Sequence, residues 1–186
     1  MPMTSYFAFR VQLLEVKPPI WRAFLLKKTA TFEKLHHAIQ AACGWEDYHL
    51  YSFHETREGP AIAGIPDDSY TRPDPDARTV RVDRHLSEPG HSCFYQYDFG
   101  DSWWHEVKLT DLVAVKRRLV RQLLGGERAF PPEDCGGIPG YEECVAIRNG
   151  GDTNLGPEEV EERKEWLGEW QPEGFDLKTA QPAFDL

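Results

Sequence analysis

The sequence has no long apolar segment. Residues 1–5 lead into an alternating stretch that Arg10 interrupts, so no continuous apolar region follows a basic start, as it would in a secretion signal. No apolar run approaches the roughly 18 residues that a membrane-spanning helix requires. We therefore expect a cytoplasmic protein that is neither exported nor inserted in a membrane.

Cysteine is scarce, and its spacing excludes the compact metal knuckles. The cysteines are Cys43, Cys93, Cys135 and Cys144. They contain no CxxC pair. A chain of 186 residues can bury a stable core without disulfide bonds, so we expect the cysteines to be reduced thiols. Cys135 and Cys144 combined with His91 or His105 have a spacing that fits no compact zinc knuckle. We therefore expect no metal site built on these cysteines, and no cofactor.

Positive charge is also in short supply. Lysine and arginine total 21 against 31 acidic residues, which gives a net charge of −10 and opposes adhesion to phosphate backbones. The basic residues that do cluster are Lys116, Arg117, Arg118 and Arg121. This cluster is typical of a solvated face, and a local nucleic-acid contact is the alternative. A nucleic-acid partner is therefore disfavoured.

Several enzyme signatures are absent. The chain has no Gly-x-Ser-x-Gly elbow and no His-Glu-x-x-His pair. Its Gly136-Gly137 pair lacks the lysine and hydroxyl residue of a phosphate-binding P-loop. These absences exclude only the enzymes that use these motifs, but they leave no complete catalytic set.

The first third of the chain predicts a ββαβ arrangement. Residues 6–16 alternate between apolar and polar side chains, and 20–28 form a second extended run after a short Pro-containing link. Thr31 is a predicted N-cap for a helix that Gly44 ends. Residues 48–55 indicate a third strand.

The later segments contain a predicted hairpin and two helices. Gly100-Asp101 suits a tight turn with positive φ between strands 92–99 and 103–113. The remaining predictions are loops at 57–77 and 125–140, a strand or helical turn at 79–86, a strand in preference to a helix at 115–124, helices at 141–147 and 157–168, and a wrapping tail at 171–186. The class is therefore α+β, with a mixed or antiparallel sheet, helices on one face and a C-terminal helical extension. One domain is expected, with a core at 1–147 and an extension at 148–186.

Ordered motifs in this chain resemble one family. They are Pro19-Ile20-Trp21-Arg22, Leu35-His36, Gly44-Trp45, His49-Leu50, Tyr97-Asp98-Phe99-Gly100-Asp101 with Trp103 and His105, and Pro131-Pro132-Glu133-Asp134-Cys135-Gly136-Gly137 with Gly140-Tyr141. Together they resemble the plasmid pRiA4b third-ORF family over roughly residues 6–147. The resemblance implies an α+β fold with a start similar to a β-grasp. It also implies an association with plasmids and mobile elements, and no particular reaction.

Asp98, Asp101 and His105 form the first candidate site. Two carboxylates at a hairpin turn with an imidazole nearby are suited to acid–base chemistry or to a divalent metal. The alternative is architectural, because alternation places His105 on the same face as Trp103 and the carboxylates can satisfy turn N–H groups.

The second candidate is the Gly-rich loop that contains Asp134 and Cys135. Gly136 and Gly137 can expose backbone N–H groups as an anion-binding nest, or the loop can present Cys135 as a thiolate. A tight loop whose glycines supply special dihedral angles is the alternative.

A binding role is considered for four other residues. Trp103 and Trp104 must face opposite sides of a strand, so one of them is a candidate for an exposed binding surface, as is Tyr141. Arg22 is expected to pair with Asp98, Asp101 or Glu133, or to anchor an anionic ligand.

The leading hypothesis is a noncatalytic binding or interaction module with a protein partner. One alternative is a small metal-assisted or acid–base hydrolase that uses Asp98, Asp101 and His105. The other is a DNA-associated accessory protein.

Overall fold

An antiparallel sheet of seven strands runs through the described part of the chain, in the order β4-β3-β5-β6-β1-β2-β7. The structure is a computed structural model that describes residues 3–67, 69 and 73–185. Its strands are β1 (Thr4–Leu13), β2 (Ile20–Lys27), β3 (Tyr51–His54), β4 (Ala61–Gly64), β5 (Ser92–Tyr97), β6 (Trp103–Val115) and β7 (Arg121–Glu127). Its helices are α1 (Phe32–Cys43), α2 (Gly137–Asn149), α3 (Pro157–Leu167) and α4 (Leu177–Phe184). The α+β class is confirmed, with the sheet antiparallel.

The ββαβ start forms as the sequence predicts. β1 and β2 pair in antiparallel register from Tyr6 opposite Lys27 to Leu13 opposite Ile20. The Thr31 side chain accepts a hydrogen bond from the Lys34 backbone N–H and so caps α1. The helix then ends at a left-handed Gly44.

The helices pack on one face of the sheet. The main core on that face contains Phe9 of β1, Phe24 of β2, Leu35 of α1 and Cys144 of α2. Burial of such side chains contributes roughly 1.5–3 kcal/mol each and is the main force that holds the layers together. The opposite face carries a smaller cluster around Tyr6.

Two local predictions need correction, and one open alternative is decided. The stretch 57–77 is not all loop, because it contains β4, which pairs with β3 at the sheet edge. At the hairpin, the left-handed residues are Asp98 and Ser102, not Gly100-Asp101. Residues Val82–Arg84 form a short 3-10 helix, which decides between the two alternatives for that segment.

The last third also differs from its predicted bounds. Residues of the predicted 125–140 loop extend β7 to Glu127 and start α2 at Gly137. The helix at 157–168 is confirmed as α3. The tail turns back as α4 along β7, where the Gln181 Nε2 donates to the Leu123 carbonyl and Phe184 is fully buried.

Among the residues described, none of the helices has both the length and the apolarity that crossing a bilayer would require.

Candidate functional site

The two motifs singled out in the sequence meet in space. Asp101 Oδ2, in the β5–β6 turn, accepts a hydrogen bond of 3.1 Å from the backbone N–H of Gly136. A Cβ at Gly137 would lie 2.9 Å from the Asp101 carbonyl oxygen, so the two segments touch through backbone. The turn and the Gly-rich loop therefore form one site.

Asp98 organises the turn. It adopts a left-handed φ of 52°, and its Oδ1 accepts hydrogen bonds from the N–H groups of Gly100 at 3.0 Å and Asp101 at 3.3 Å. Aspartate tolerates this conformation because its short side chain can bond the following backbone. Its second oxygen, Oδ2, points away from the turn toward His49.

Glycines shape the facing loop. Gly136 and Gly137 both have positive φ, and a Cβ at Gly140 would lie only 1.8 Å from the Cys135 carbonyl oxygen. A side chain at these positions would clash or strain the backbone. The resulting tight turn presents Asp134, itself left-handed with a φ of 58°, on the outside of the loop.

His49 completes this site, and sequence reasoning missed it. Its Nε2 lies 3.0 Å from Asp134 Oδ1 and 3.7 Å from Asp98 Oδ2. The strand predicted at 48–55 would include His49, which is wrong, because β3 begins only at Tyr51. The one sequence signal for His49 was that His49-Leu50 is among the motifs that carry the family resemblance.

A second histidine and carboxylate group lies nearby. His36 Nε2 is 2.7 Å from Asp47 Oδ1, and His37 Nε2 is 3.7 Å from Asp47 Oδ2. His36 and His37 are adjacent on α1 and point in different directions, but the left-handed Asp47 after α1 reaches both. This group, like the first, has the ligand types of a metal site.

His36 itself is committed to structure. Because Asp47 only accepts hydrogen bonds, His36 Nε2 carries the proton, and its Nδ1 accepts from the Tyr95 hydroxyl at 2.7 Å. The ring stacks on Tyr51 with 3.6 Å between centroids. Burial lowers the pKa of His36 to about 4, so the ring is neutral.

A pocket of about 750 Å³ opens beside these histidines. Its charged lining is Glu33, Asp47, Asp76 and Arg78, and its rim includes the exposed apolar groups of Tyr48, Leu50 and Ile65. Burial, followed by the fields of Glu33, Asp47 and Asp76, raises the pKa of the Tyr51 hydroxyl. The three carboxylates outnumber the one guanidinium, so the lining of the pocket carries an excess of negative charge.

His105 does not join Asp98 and Asp101. It is fully buried, with its ring against Trp45 and Phe130 and its Nδ1 3.4 Å from the Tyr95 carbonyl oxygen. Burial lowers its pKa to about 4. The structure thus favours the core-histidine interpretation over an acid–base role.

Cys135 is not exposed as a thiolate. Its side chain is buried, and a hydrogen bond with the Cys144 thiol, together with that burial, raises the pKa of Cys135 well above its ordinary value. The structure also disfavours an anion-binding nest at this loop, since the Gly136 N–H already donates a hydrogen bond to Asp101.

Arg22 pairs with none of the three expected acids. Its Nε donates to the Ala42 carbonyl at 3.0 Å, and its Nη1 donates to the carbonyls of Trp21 at 2.9 Å and Glu127 at 3.1 Å. The guanidinium also contacts two aromatic rings, with its Cζ 4.9 Å from the ring centroid of Phe130 and 4.1 Å from that of Phe175. The expected ion pair is wrong, because the guanidinium donates to these backbone carbonyls instead.

The candidate aromatic residues separate as alternation requires. Trp103 is buried, whereas Trp104 is partly exposed on the outer face of the sheet, under the Arg57 guanidinium at 5.0 Å. The Tyr141 ring is buried on α2 and packs edge-on against Trp170.

The basic cluster is split. Lys116, Arg117 and Arg118 are exposed in the β6–β7 loop. Arg121 instead begins β7 and donates from Nε to the Phe184 carbonyl at 2.6 Å. The structure brings none of the four to the turn and Gly-rich loop.

Comparison with known proteins places the chain in a family. The model of the plasmid pRiA4b ORF-3-like protein family matches residues 5–179. The uncharacterized protein y4hQ of Sinorhizobium fredii is 33% identical over 168 residues, covering 89% of this chain and 82% of that protein. The crystal structure of a protein of unknown function, MM3350 from Methanosarcina mazei Go1, has a TM-score of 0.78 and 31% identity, with 96% of this chain and 98% of that chain covered. Neither name assigns an activity. The chain belongs to the plasmid pRiA4b ORF-3-like family.

Proposed function

We propose that the protein is a noncatalytic interaction module that binds a basic segment of a partner protein in the 750 Å³ pocket. The observation that carries this proposal is the composition of the pocket, in which three carboxylates face one guanidinium beneath an apolar rim. A Lys or Arg side chain on an extended peptide offers the complementary charge and an apolar stem for the rim.

The charge of the pocket is not cancelled internally. Arg78 is engaged by Asp76, with its Nη2 2.7 Å from Asp76 Oδ2. His36 is neutral, so its hydrogen bond leaves the negative charge of Asp47 in place. Glu33 and Asp47 therefore remain available to a cationic group.

The apolar rim supplies contact area for the same partner. Tyr48 and Leu50 are 70% and 54% exposed, although they lie beside the buried ring of Tyr51. Large apolar groups around a polar floor are typical of peptide-binding surfaces, where aromatic anchors contribute much of the affinity.

The test is titration of the full chain with a labelled peptide of alternating leucine and arginine. We expect Glu33→Gln to weaken binding by about three- to fivefold, as loss of one partly exposed charge pair predicts. Arg78→Gln should strengthen binding, because it removes the cation that competes for Asp76.

Glu158→Gln is the matched control, since Glu158 is a glutamate in the first turn of α3, as Glu33 is in α1, although Glu158 is exposed and Glu33 is half-buried. If both glutamate variants weaken binding equally, the peptide is responding to the net charge of −10, and the pocket is not its site. Absence of binding at low salt would end the proposal.

We also propose that the protein works in the cytoplasm. All four cysteines are free thiols, two of them, Cys135 and Cys144, in contact, which suits a reducing cytoplasm.

A further inference from the structure

Three potential ligand atoms converge where the turn and the Gly-rich loop meet. They are His49 Nε2, Asp98 Oδ2 and Asp134 Oδ1, and all lie within 4.8 Å of one another. They come from three separate segments: the α1–β3 connection, the end of β5 and the loop before α2. We propose that His49, Asp98 and Asp134 bind one divalent transition-metal ion of the zinc type.

The spacing of the ligand atoms fits such an ion. With bonds of about 2.0–2.2 Å, a tetrahedral zinc site places neighbouring ligand atoms about 3.3 Å apart. The His49 nitrogen is 3.0 Å from Asp134 Oδ1 and 3.7 Å from Asp98 Oδ2. These two distances lie on either side of the required value, and the two carboxylate oxygens lie within 4.8 Å of each other, so the side chains need to close by at most about 1.5 Å around an ion.

The hydrogen bonding of His49 also points to a cation. Its Nε2 is buried and makes no well-aligned hydrogen bond to any group in the part of the chain that the structure describes. An imidazolium paired with Asp134 would direct its N–H along the 3.0 Å contact, and this contact lacks that alignment. A metal ion between the three side chains satisfies the nitrogen and both carboxylates together.

Groups behind the ligands hold them in place, as second-layer contacts do in metal sites. Asp98 is fixed by the two turn N–H groups on Oδ1, which leaves Oδ2 for the ion. The hydrogen bond from Gly136 to Asp101 ties the loop that carries Asp134 to the turn that carries Asp98. The site is thus built on backbone contacts that do not depend on the ion.

The ligand set selects the class of ion. Mg²⁺ and Ca²⁺ prefer sites made entirely of oxygen, whereas one imidazole with two carboxylates suits zinc and its transition-metal neighbours. Three protein ligands leave a fourth position, and Asp134 is 65% exposed on its side chain, so water can reach the ion.

The experiment is calorimetric titration of the EDTA-treated full chain with ZnCl₂. We expect one ion per chain, and at least about tenfold weaker binding in both Asp134→Asn and His49→Gln. Because Asp134 is exposed, its substitution should leave the fold intact, which circular dichroism checks. Co²⁺ in place of zinc should give the strong visible absorption of a four-coordinate site in the native protein and lose it in both variants.

His37→Gln and Asp152→Asn are the controls. The first removes a histidine from the other cluster, with His36 and Asp47, and the second removes an exposed carboxylate elsewhere. Both should bind zinc as the native chain does. Loss of binding in His37→Gln with retention in His49→Gln, equal binding by all variants, or no binding at all would each overturn the proposal. None of these outcomes bears on the peptide titration, which is done without metal.

Discussion

The side-chain oxygen Oδ2 of Asp101 accepts a 3.1 Å hydrogen bond from the backbone N–H of Gly136, a residue 35 positions later in the chain. This contact joins the β5–β6 turn to the loop that precedes α2. It is the reason that the two sequence motifs form one site, because the residues on either side of it, Asp98 and Asp134, then face the same histidine.

Asp101→Ala tests this connection. Removal of the carboxylate leaves the Gly136 N–H without its partner, and we expect the free energy of unfolding to fall by about 1 kcal/mol, a modest value because the bond is exposed. Urea denaturation measures the change. Asp152→Ala, an exposed aspartate outside the turn and loop, should change stability by less than about 0.5 kcal/mol.

The close approach at Gly137 gives a second prediction. Gly137 and Gly150 have nearly equal φ values of 67° and 66°, so alanine costs each about 1–2 kcal/mol of backbone strain. Only at Gly137 would the new Cβ also meet the Asp101 carbonyl oxygen at 2.9 Å, while nothing lies within 4 Å at Gly150. Gly137→Ala should therefore be the more destabilising by at least about 1 kcal/mol in thermal or urea unfolding. Equal losses would show that the turn and loop are not in tight contact.

The elements that the sequence predicted correctly are those with a strong local signal. The alternation of β1, the Thr31 cap and Gly44 stop of α1, and the proline at the start of α3 each determine their element without distant help. In all of them the dihedral angles and the burial pattern come from residues that are close in the chain.

The misses occurred where a distant contact decides the structure. Gly125 and Gly126 were assigned to a loop, yet they continue β7 because they pair with Ala23 and Arg22 of β2. A Cβ at Gly126 would lie 2.7 Å from Arg22 Cδ, so the glycine there allows the close approach of the two strands. β4 lies in a proline-rich stretch that was predicted to be a loop, and its pairing with β3 carries no local sequence signal.

The candidate site divides in the same way. Asp98, Asp101 and Asp134 were identified because each lies in a distinctive motif, and the structure brings their segments together. His49 was missed because its position depends on how the chain leaves α1, which no periodicity shows. His105 was grouped with the carboxylates by closeness in the chain, although the sheet directs it into the core.

Two buried histidines make the stability depend on pH. Burial lowers the pKa of His36 and of His105 from 6.5 to about 4, so below pH 6.5 the unfolded chain takes up protons that the folded chain does not accept until near pH 4. The contribution of these two histidines to the free energy of unfolding is therefore fully present above pH 6.5 and is lost as the pH falls toward 4. Each histidine should contribute a slope of up to about 1.4 kcal/mol per pH unit.

Urea unfolding between pH 7 and pH 4.5, with EDTA present, measures this slope. His105→Leu should reduce the slope by up to about 1.4 kcal/mol per pH unit relative to the native chain, since it removes one of the two titrating groups. Carboxylates titrate in both proteins, so the difference isolates the histidine. Identical slopes would mean that His105 is not kept neutral by its surroundings.

Arg22 should not tolerate lysine, although the charge is kept. Its guanidinium makes three hydrogen bonds to backbone carbonyls in fixed directions and packs against two aromatic rings. Burial lowers the pKa of Arg22 to about 10. Because a lysine ammonium cannot reach all three carbonyls or stack as a plane, we expect Arg22→Lys to cost about 2–3 kcal/mol of unfolding free energy.

Arg10→Lys is the matched control for this substitution. The Arg10 guanidinium also lies over a ring, that of Trp21, at 4.7 Å, but the residue is on the outer face of the sheet and is less buried than Arg22. Loss of such a partly exposed contact should change stability by about 0.5 kcal/mol or less. If the two lysine variants unfold at the same urea concentration, the carbonyl bonds of Arg22 contribute nothing beyond its charge. A large difference would show instead that this arginine fixes the junction of α1, β2 and β7, since its hydrogen-bond acceptors belong to those elements.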